Sequence, residues 1–309
     1  MATDLNESFI AKYESVNTKL KKRFLRKPNV SEATNEFIAL AIECEHSEQP
    51  AFAGQIYIGA AKCEASAGNE LIEAEHYLSA ARQFTKAEKK LFALKFDSPD
   101  RENLEAAICC YMKTLNKYPK KSPLRASVLL ELANNLVDLN HRQEAIVYYE
   151  QALDNITDKT MRLMCLRDLM NIQIDCGWLR GPLGMPPGTT SDKYDAALET
   201  TNSIHDGDFR IPEGILSELQ VTRVLLGLIV EPEEDGKPES LMKLYDNILN
   251  DEDNDSLPFN PDLKLKLQSI IISCGISDKQ SLVNIFVDTK QHLTSQQIHL
   301  MEALIQSKE

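Results

Sequence analysis

The chain has 309 residues, of which 43% are hydrophobic and 26% are charged, as in ordinary globular proteins. Lys and Arg total 34 against 47 Asp and Glu, giving a formal net charge of -13. Because such a surface repels phosphates and anionic lipid headgroups, the charge argues against general nucleic-acid binding. The longest apolar run, Val224 to Val230, is too short to span a bilayer, so we expect no membrane insertion.

A basic run lies between residues 19 and 27. It holds no acidic residue, and its cations are Lys19, Lys21, Lys22, Arg23, Arg26 and Lys27. Phe24 and Leu25 lie inside the run, and apolar anchors among cations favour docking onto an acidic partner surface. Two alternatives stay open. In the first alternative the run is only the solvated face of a helix that ends before Pro28. In the second it is a site for nuclear import or phosphate binding.

Residues 74–157 carry a recurring helical-hairpin pattern that resembles the tetratricopeptide repeat. Each copy of the pattern begins with Ala, has a larger apolar residue four positions later and has another apolar residue three or four positions after that. The copies are Ala74, Leu78 and Ala81, then Ala107, Tyr111 and Leu115, then Ala145, Tyr149 and Ala152. Successive first residues are 33 and 38 positions apart, close to the repeat length of about 34 residues. The sequence therefore predicts an all-α, tetratricopeptide-like helical-hairpin solenoid wound as a right-handed superhelix.

Helix starts and stops divide the chain into two parts. Ser98-Pro99 and Ser122-Pro123 each predict an N-cap residue before a Pro at the first helical position. Residues 177–193 are rich in Gly and Pro and predict a loop between an N-terminal repeat part, 1–176, and a C-terminal helical part, 194–309. We expect both parts to form one continuous solenoid.

The C-terminal part predicts a helix from Glu213 to Val230 and three more at about 262–274, 278–290 and 295–307. The helix over 215–230 is apolar on nearly every side and must be covered all round. Burial inside the solenoid and covering by a large partner protein are both open. Thr294 to Gln297 has the pattern of a capping box for the last helix.

No segment carries a recognisable catalytic, cofactor or metal motif, so we expect a protein that is not an enzyme. Asp251, Asp253 and Asp255 have calcium-loop spacing, but Ser256 stands where the sharp turn needs Gly, which favours an acidic linker. The scattered cysteines indicate a reducing compartment, and we expect a cytoplasmic location. An enzyme whose Cys and His come together only on folding is the remaining alternative.

Several segments resemble one known family. Residues 13–30, which read Tyr-Glu-Ser-Val-Asn-Thr-Lys-Leu-Lys-Lys-Arg-Phe-Leu-Arg-Lys-Pro-Asn-Val, closely resemble the N-terminal signature of the forty-kilodalton huntingtin-associated protein family. Val221 to Leu228 resembles it too, as do, more loosely, 267–269 and 293–300. A short connection, His205 to Pro212, stands where the vertebrate form has a long Pro-rich insert.

The resemblance implies a helical-repeat adaptor held between the helical-repeat arms of huntingtin, which it stabilises as a heterodimer. It also implies a link to early endosomes through a Rab small GTPase and an effect on vesicle movement, while the nuclear-import alternative for the basic run would add the nucleus as a further location. The basic run would then form one contact, supported by a second at Arg223, Val224 and Leu225. The alternative is a vesicle-fusion adaptor resembling the soluble attachment proteins, on the Ala-rich pattern of 71–96.

Overall fold

A computed structural model describes residues 2–20, 30–96, 98–179, 213–230, 239–250 and 258–307. Within these ranges the regular elements are helices, and no strand is found. The predicted all-α class is thereby confirmed. The chain folds into two compact units, Met1–Thr157 and Asp158–Glu309.

The first unit is a succession of helices, each packed mainly on its neighbours in the chain. They are α1 (Ala2–Leu20), α2 (Val30–His46), α3 (Pro50–Ala67), α4 (Glu70–Ala93), α5 (Glu102–Lys117), α6 (Pro123–Asp138) and α7 (Arg142–Leu153). The short connections from α2 onward explain this order, because chain neighbours joined by a few residues fold back on each other.

Small residues set the close spacing of α3 against both of its neighbours. A Cβ at Gly54 would lie 2.9 Å from the ring of Phe84 on α4, and a Cβ at Gly59 would lie 3.2 Å from the ring of Phe37 on α2. Both aromatic side chains are buried. The two glycines therefore provide room for one large aromatic from each side.

The residues that carried the repeat pattern lie inside the first unit. Ala74, Ala81, Ala107, Tyr111, Leu115, Ala145, Tyr149 and Ala152 are all buried, whereas Leu78 is half-buried. Ser122 caps α6 as predicted, since its side chain accepts a hydrogen bond from the Arg125 amide. The prediction at Ser98 is wrong. Helix α5 begins at Glu102 after Arg101, and the Arg101 amide instead donates to the Ser98 carbonyl in a turn.

The second unit is arranged around one apolar helix. Its elements are α8 (Lys159–Leu179), α9 (Glu213–Val230), α10 (Glu239–Leu249), α11 (Pro261–Gly275), α12 (Lys279–Thr289), a 3-10 turn (Lys290–His292) and α13 (Ser295–Ser307). Helix α9 contacts α8, α10, α11 and α13. Four neighbours around one helix explain why its sequence is apolar on nearly every side.

The predicted capping box at the start of α13 is present. The Thr294 amide donates to Oε1 of Gln297 at 3.0 Å, and the Gln297 amide donates to Oγ1 of Thr294 at 3.3 Å. Nε2 of Gln297 also donates to Thr222 on α9 and to the Glu218 carbonyl, both at 3.0 Å. The same side chain therefore starts α13 and joins it to the central helix.

The compact units divide the chain before α8, so residues 158–176 group with the C-terminal part rather than with 1–176. Most of the predicted Gly/Pro loop, 180–193, lies outside the described residues. The predicted domain boundary, the tetratricopeptide-like superhelix and the continuity of one solenoid stay predictions.

Candidate partner-binding surfaces

Helix α1 packs on α2 through a narrow apolar contact. Phe9 and Val16 are buried, and the rings of Tyr13 and Phe37 lie 5.5 Å apart between centroids. Residues four and three positions apart lie on one face of a helix, so these side chains form a single stripe along α1. The stripe holds α1 on α2, and the basic run begins in the last turn of α1.

Two ion pairs lie along one side of this apolar stripe. Nζ of Lys12 lies 2.7 Å from Glu43, and Nζ of Lys19 lies 2.7 Å from Glu36. A shallow groove of about 340 Å³ runs between the two helices, lined by Lys12, Ser15, Val16, Glu36, Ala39, Leu40 and Glu43. Exposed pairs of this kind contribute about 0–1 kcal/mol each, so the apolar stripe supplies most of the attachment.

The predicted basic docking run is described only at its first two residues, Lys19 and Leu20, and Leu20 packs against the apolar core of the first unit. Lys19 lies in the last turn of α1 with its side chain 59% exposed. The other predicted contact residues of the run, Lys21, Lys22, Arg23, Phe24, Leu25, Arg26 and Lys27, lie outside the described residues. The role of the run in partner binding stays a prediction.

The second predicted contact lies inside the chain's own core. Val224 and Leu225 are 0% exposed and Arg223 is 4% exposed, all on α9. The structure thus shows burial for α9, one of the two arrangements left open by the sequence. A direct contact between these side chains and a partner would require α9 to leave the second unit. Their part in binding stays a prediction, and in the free chain they pack the core.

A line of ion pairs connects α4 with its neighbours on the surface of the first unit. Arg82 binds both carboxylate oxygens of Glu131 on α6, at 2.8 and 2.7 Å. Lys89 lies 2.7 Å from Asp138 at the end of α6, and Lys90 lies 2.5 Å from Glu48 before α3. The pairs of Arg82 and Lys89 join α4 to α6, which belong to separate hairpins, and the exposed sides of these two helices form one surface, here called the α4–α6 face.

Tyr111 of α5 connects to this face from the core side through its hydroxyl group. Its ring is fully buried, its hydroxyl donates to Oε1 of Glu131 at 3.0 Å, and Nδ2 of Asn135 donates to the hydroxyl at 3.1 Å. Burial raises the pKa of Glu131, but hydrogen bonds from Arg82 and Tyr111 outweigh it and hold that pKa below its usual value. The carboxylate therefore stays ionised and joins α4, α5 and α6.

Exposed apolar side chains mark two surfaces that sequence reasoning missed. Phe92, Leu94 and Phe96, at the end of α4, are 44%, 76% and 57% exposed. Leu265 and Ile272 on α11, and Ile276 directly after the helix, are also exposed. The distribution of apolar residues around α11 could have revealed the second surface, since this helix is apolar on more than one side.

Two of the buried cysteines, Cys110 and Cys165, have thiols that resist ionisation. Burial, assisted by neighbouring charge, raises the pKa of the Cys110 and Cys165 thiols to about 12, so both stay protonated at neutral pH. No group of three or more His, Cys, Asp or Glu in the described ranges is placed to hold a metal ion. None of the described helices is long and apolar enough to cross a membrane.

Two curated proteins are similar to part of this chain. They are the 40-kDa huntingtin-associated proteins of Rattus norvegicus and Mus musculus, each 41% identical over 80 residues. The match covers 26% of this chain and spans only about a fifth, 21%, of the length of each relative. No family model matches the chain. The resemblance noted from the sequence is confirmed as a similarity over this stretch.

Proposed function

We propose that this chain is a non-enzymatic adaptor that binds huntingtin and stabilises it as a heterodimer. The observation that carries the proposal is the 41% identity over 80 residues to relatives named as huntingtin-associated proteins. The all-helical architecture supports it, because stacked helical hairpins offer broad outer faces to a large partner.

The proposal includes a tetratricopeptide-like solenoid for the first unit. The support is the burial of the recurring Ala and Tyr positions and the packing of each helix on its neighbours along the chain. The α4–α6 ion pairs between successive hairpins also fit stacked repeats. Such an array buries its seam and leaves rigid faces free for protein contacts.

The docking contact within this proposal is the basic run 19–27, with Phe24 and Leu25 as anchors. Against a chain of net charge -13, the run is a local region of opposite sign. Such a region steers the chain toward an acidic surface on the partner and fixes its orientation. On the family resemblance alone, the proposal extends to early endosomes, a Rab small GTPase and vesicle movement.

The test is the affinity of purified variants for purified huntingtin. We expect Phe24→Ala or Arg23→Glu to weaken binding by about 1–3 kcal/mol, as at interface hot spots. Lys62→Glu is the control for net charge, since Lys62 is exposed on α3 and does not belong to the run. Equal affinities for all variants and wild type would show that the basic run does not contact huntingtin. Binding to an assembled membrane-fusion complex but not to huntingtin would favour the vesicle-fusion alternative.

A further inference from the structure

Two connections in the first unit carry the same four-residue pattern, a Ser-Pro pair followed by an Arg at the third position after the Ser. The first runs from Ser98 to Arg101, before α5, and the second from Ser122 to Arg125, at the start of α6. A Ser followed directly by Pro, with a cation two positions after the Pro, is the substrate pattern of proline-directed protein kinases. The pattern alone fits both serines, but the surroundings of the two arginines differ.

The arginine of the first copy is bound to carboxylates of the chain itself. Arg101 lies 2.9 Å from Glu144 on α7 and 3.8 Å from Glu105 on α5. Asp100 adds a negative charge between Ser98 and Arg101. A kinase that recognises the cation would have to break these pairs, and a phosphate on Ser98 would lie among charges of its own sign.

The second copy lies in positive surroundings. Between residues 113 and 130 the chain has five cations and no acidic residue, against a net charge of -13 for the whole chain. Lys120 and Lys121 directly precede Ser122, and both are exposed. Among the described residues, no carboxylate lies within ion-pair distance of Lys120, Lys121 or Arg125. A phosphate on Ser122 therefore meets cations that are not already neutralised.

The first turn of α6 holds no buried side chain. Pro123 is exposed, Leu124 is 58% exposed, Ser122 and Arg125 are half-buried, and the first buried residue of the helix is Ala126. Oγ of Ser122 accepts one hydrogen bond of 3.2 Å from the Arg125 amide, and the Arg125 guanidinium donates to a carbonyl in the last turn of α5. Because no side chain has to leave the core, a kinase can open this turn at the cost of local hydrogen bonds.

We propose that Ser122 is a phosphorylation site for a proline-directed kinase and that Ser98 is not. The kinase transfers the γ-phosphoryl group of ATP to Oγ of Ser122. The bond from phosphorus to the ADP oxygen breaks, a bond from phosphorus to Oγ forms, the hydroxyl proton passes to the catalytic carboxylate of the kinase, and ADP leaves. The phosphate adds a charge of about -1.5 to -2 at pH 7, which offsets most of the positive charge of Lys120, Lys121 and Arg125.

The test incubates the purified full chain with ATP and a purified cyclin-dependent kinase, and locates phosphate by mass spectrometry of the digested chain. We expect one phosphate, on Ser122. Ser122→Asn keeps an oxygen that can cap α6 but has no hydroxyl, so it should fold and accept no phosphate. Ser98→Asn is the matched control and should accept phosphate at the rate of wild type. Circular dichroism checks that both variants are folded.

Three results would overturn the inference. The first is a phosphate on Ser98, alone or together with Ser122. The second is undiminished incorporation in Ser122→Asn, which would place the phosphate elsewhere. The third is an unmodified full chain under conditions in which a synthetic peptide of residues 116–129 accepts phosphate, because the fold then shields Ser122. If neither the chain nor the peptide accepts phosphate, the pattern is not a kinase substrate and the inference fails as well.

Discussion

The two compact units bury their apolar residues in different ways. In the first, each helix packs on the helices before and after it, and small residues set the spacing. In the second, α9 lies among four helices, and one of them, α13, is distant from α9 in the sequence. When each helix packs only on its neighbours, one contact can be lost without unfolding the rest of the unit. When a unit is built around one helix, the stability of every other helix depends on that central helix.

The largest effect is expected at the centre of the second unit. Leu225→Ala removes a fully buried side chain and should lower the free energy of unfolding of that unit by about 2–5 kcal/mol. Amide hydrogen exchange should report faster exchange in α8, α10, α11 and α13 together. Val287→Ala, at a position 68% exposed, is the control and should stay within about 0.5 kcal/mol. Faster exchange confined to α9 would contradict the claim that the whole second unit depends on this helix.

A smaller loss is expected where α3 and α4 approach each other in the first unit. Gly54→Val forces the Phe84 ring to move, because even its Cβ would lie 2.9 Å from that ring. Overpacking of this kind costs about 1–3 kcal/mol, measured as free energy of unfolding by denaturant. Gly275→Ala, which has open space, should be neutral or stabilising by up to about 1 kcal/mol. Unchanged stability in Gly54→Val would mean that α3 and α4 are less closely packed.

Tyr111→Phe tests the connection between successive hairpins. The change removes a buried hydroxyl that bonds to both Glu131 and Asn135, and should cost about 1–2 kcal/mol in chemical denaturation. Tyr13→Phe keeps its ring packed on Phe37 and serves as the control. If both variants unfold at the same denaturant concentration as wild type, the hydroxyl network does not join α4, α5 and α6.

The mildest effect is the pH dependence contributed by Glu131. Its pKa is lower in the folded chain than in the unfolded chain, so its stabilising contribution is present above the unfolded value of about 4. That contribution is lost as the pH falls through the folded pKa. The thermal midpoint of wild type should therefore fall more steeply below about pH 4 than that of Glu131→Gln. Parallel curves would show that the carboxylate has no favourable environment in the folded chain.

The sequence predicted local features well because their causes are local. The helix from Glu213 to Val230 has the predicted bounds, and the capping box at Thr294 forms as its residue types require. Ser98 was misassigned because a Ser-Pro pair fits a turn as well as an N-cap, and Arg101 precedes α5 instead. Neither residue type nor spacing distinguishes these two outcomes.

The candidate surfaces were harder to predict, because exposure depends on residues distant in sequence. A helix that is apolar on nearly every side, as α9 is, fits either a core or a partner contact, and only its four neighbours show that Val224 and Leu225 are buried. In the same way, nothing near Lys19 in sequence indicates Glu36, which reaches it only when α2 folds back on α1. The charge of the basic run could be read directly, but its internal partner could not.

The most direct test of the adaptor role is size-exclusion chromatography with light scattering on the purified chain mixed with purified huntingtin. We expect a single peak with the mass of one copy of each protein, and a smaller share of complex for Arg23→Glu. Separate elution of the two proteins over the accessible concentration range would contradict the adaptor role.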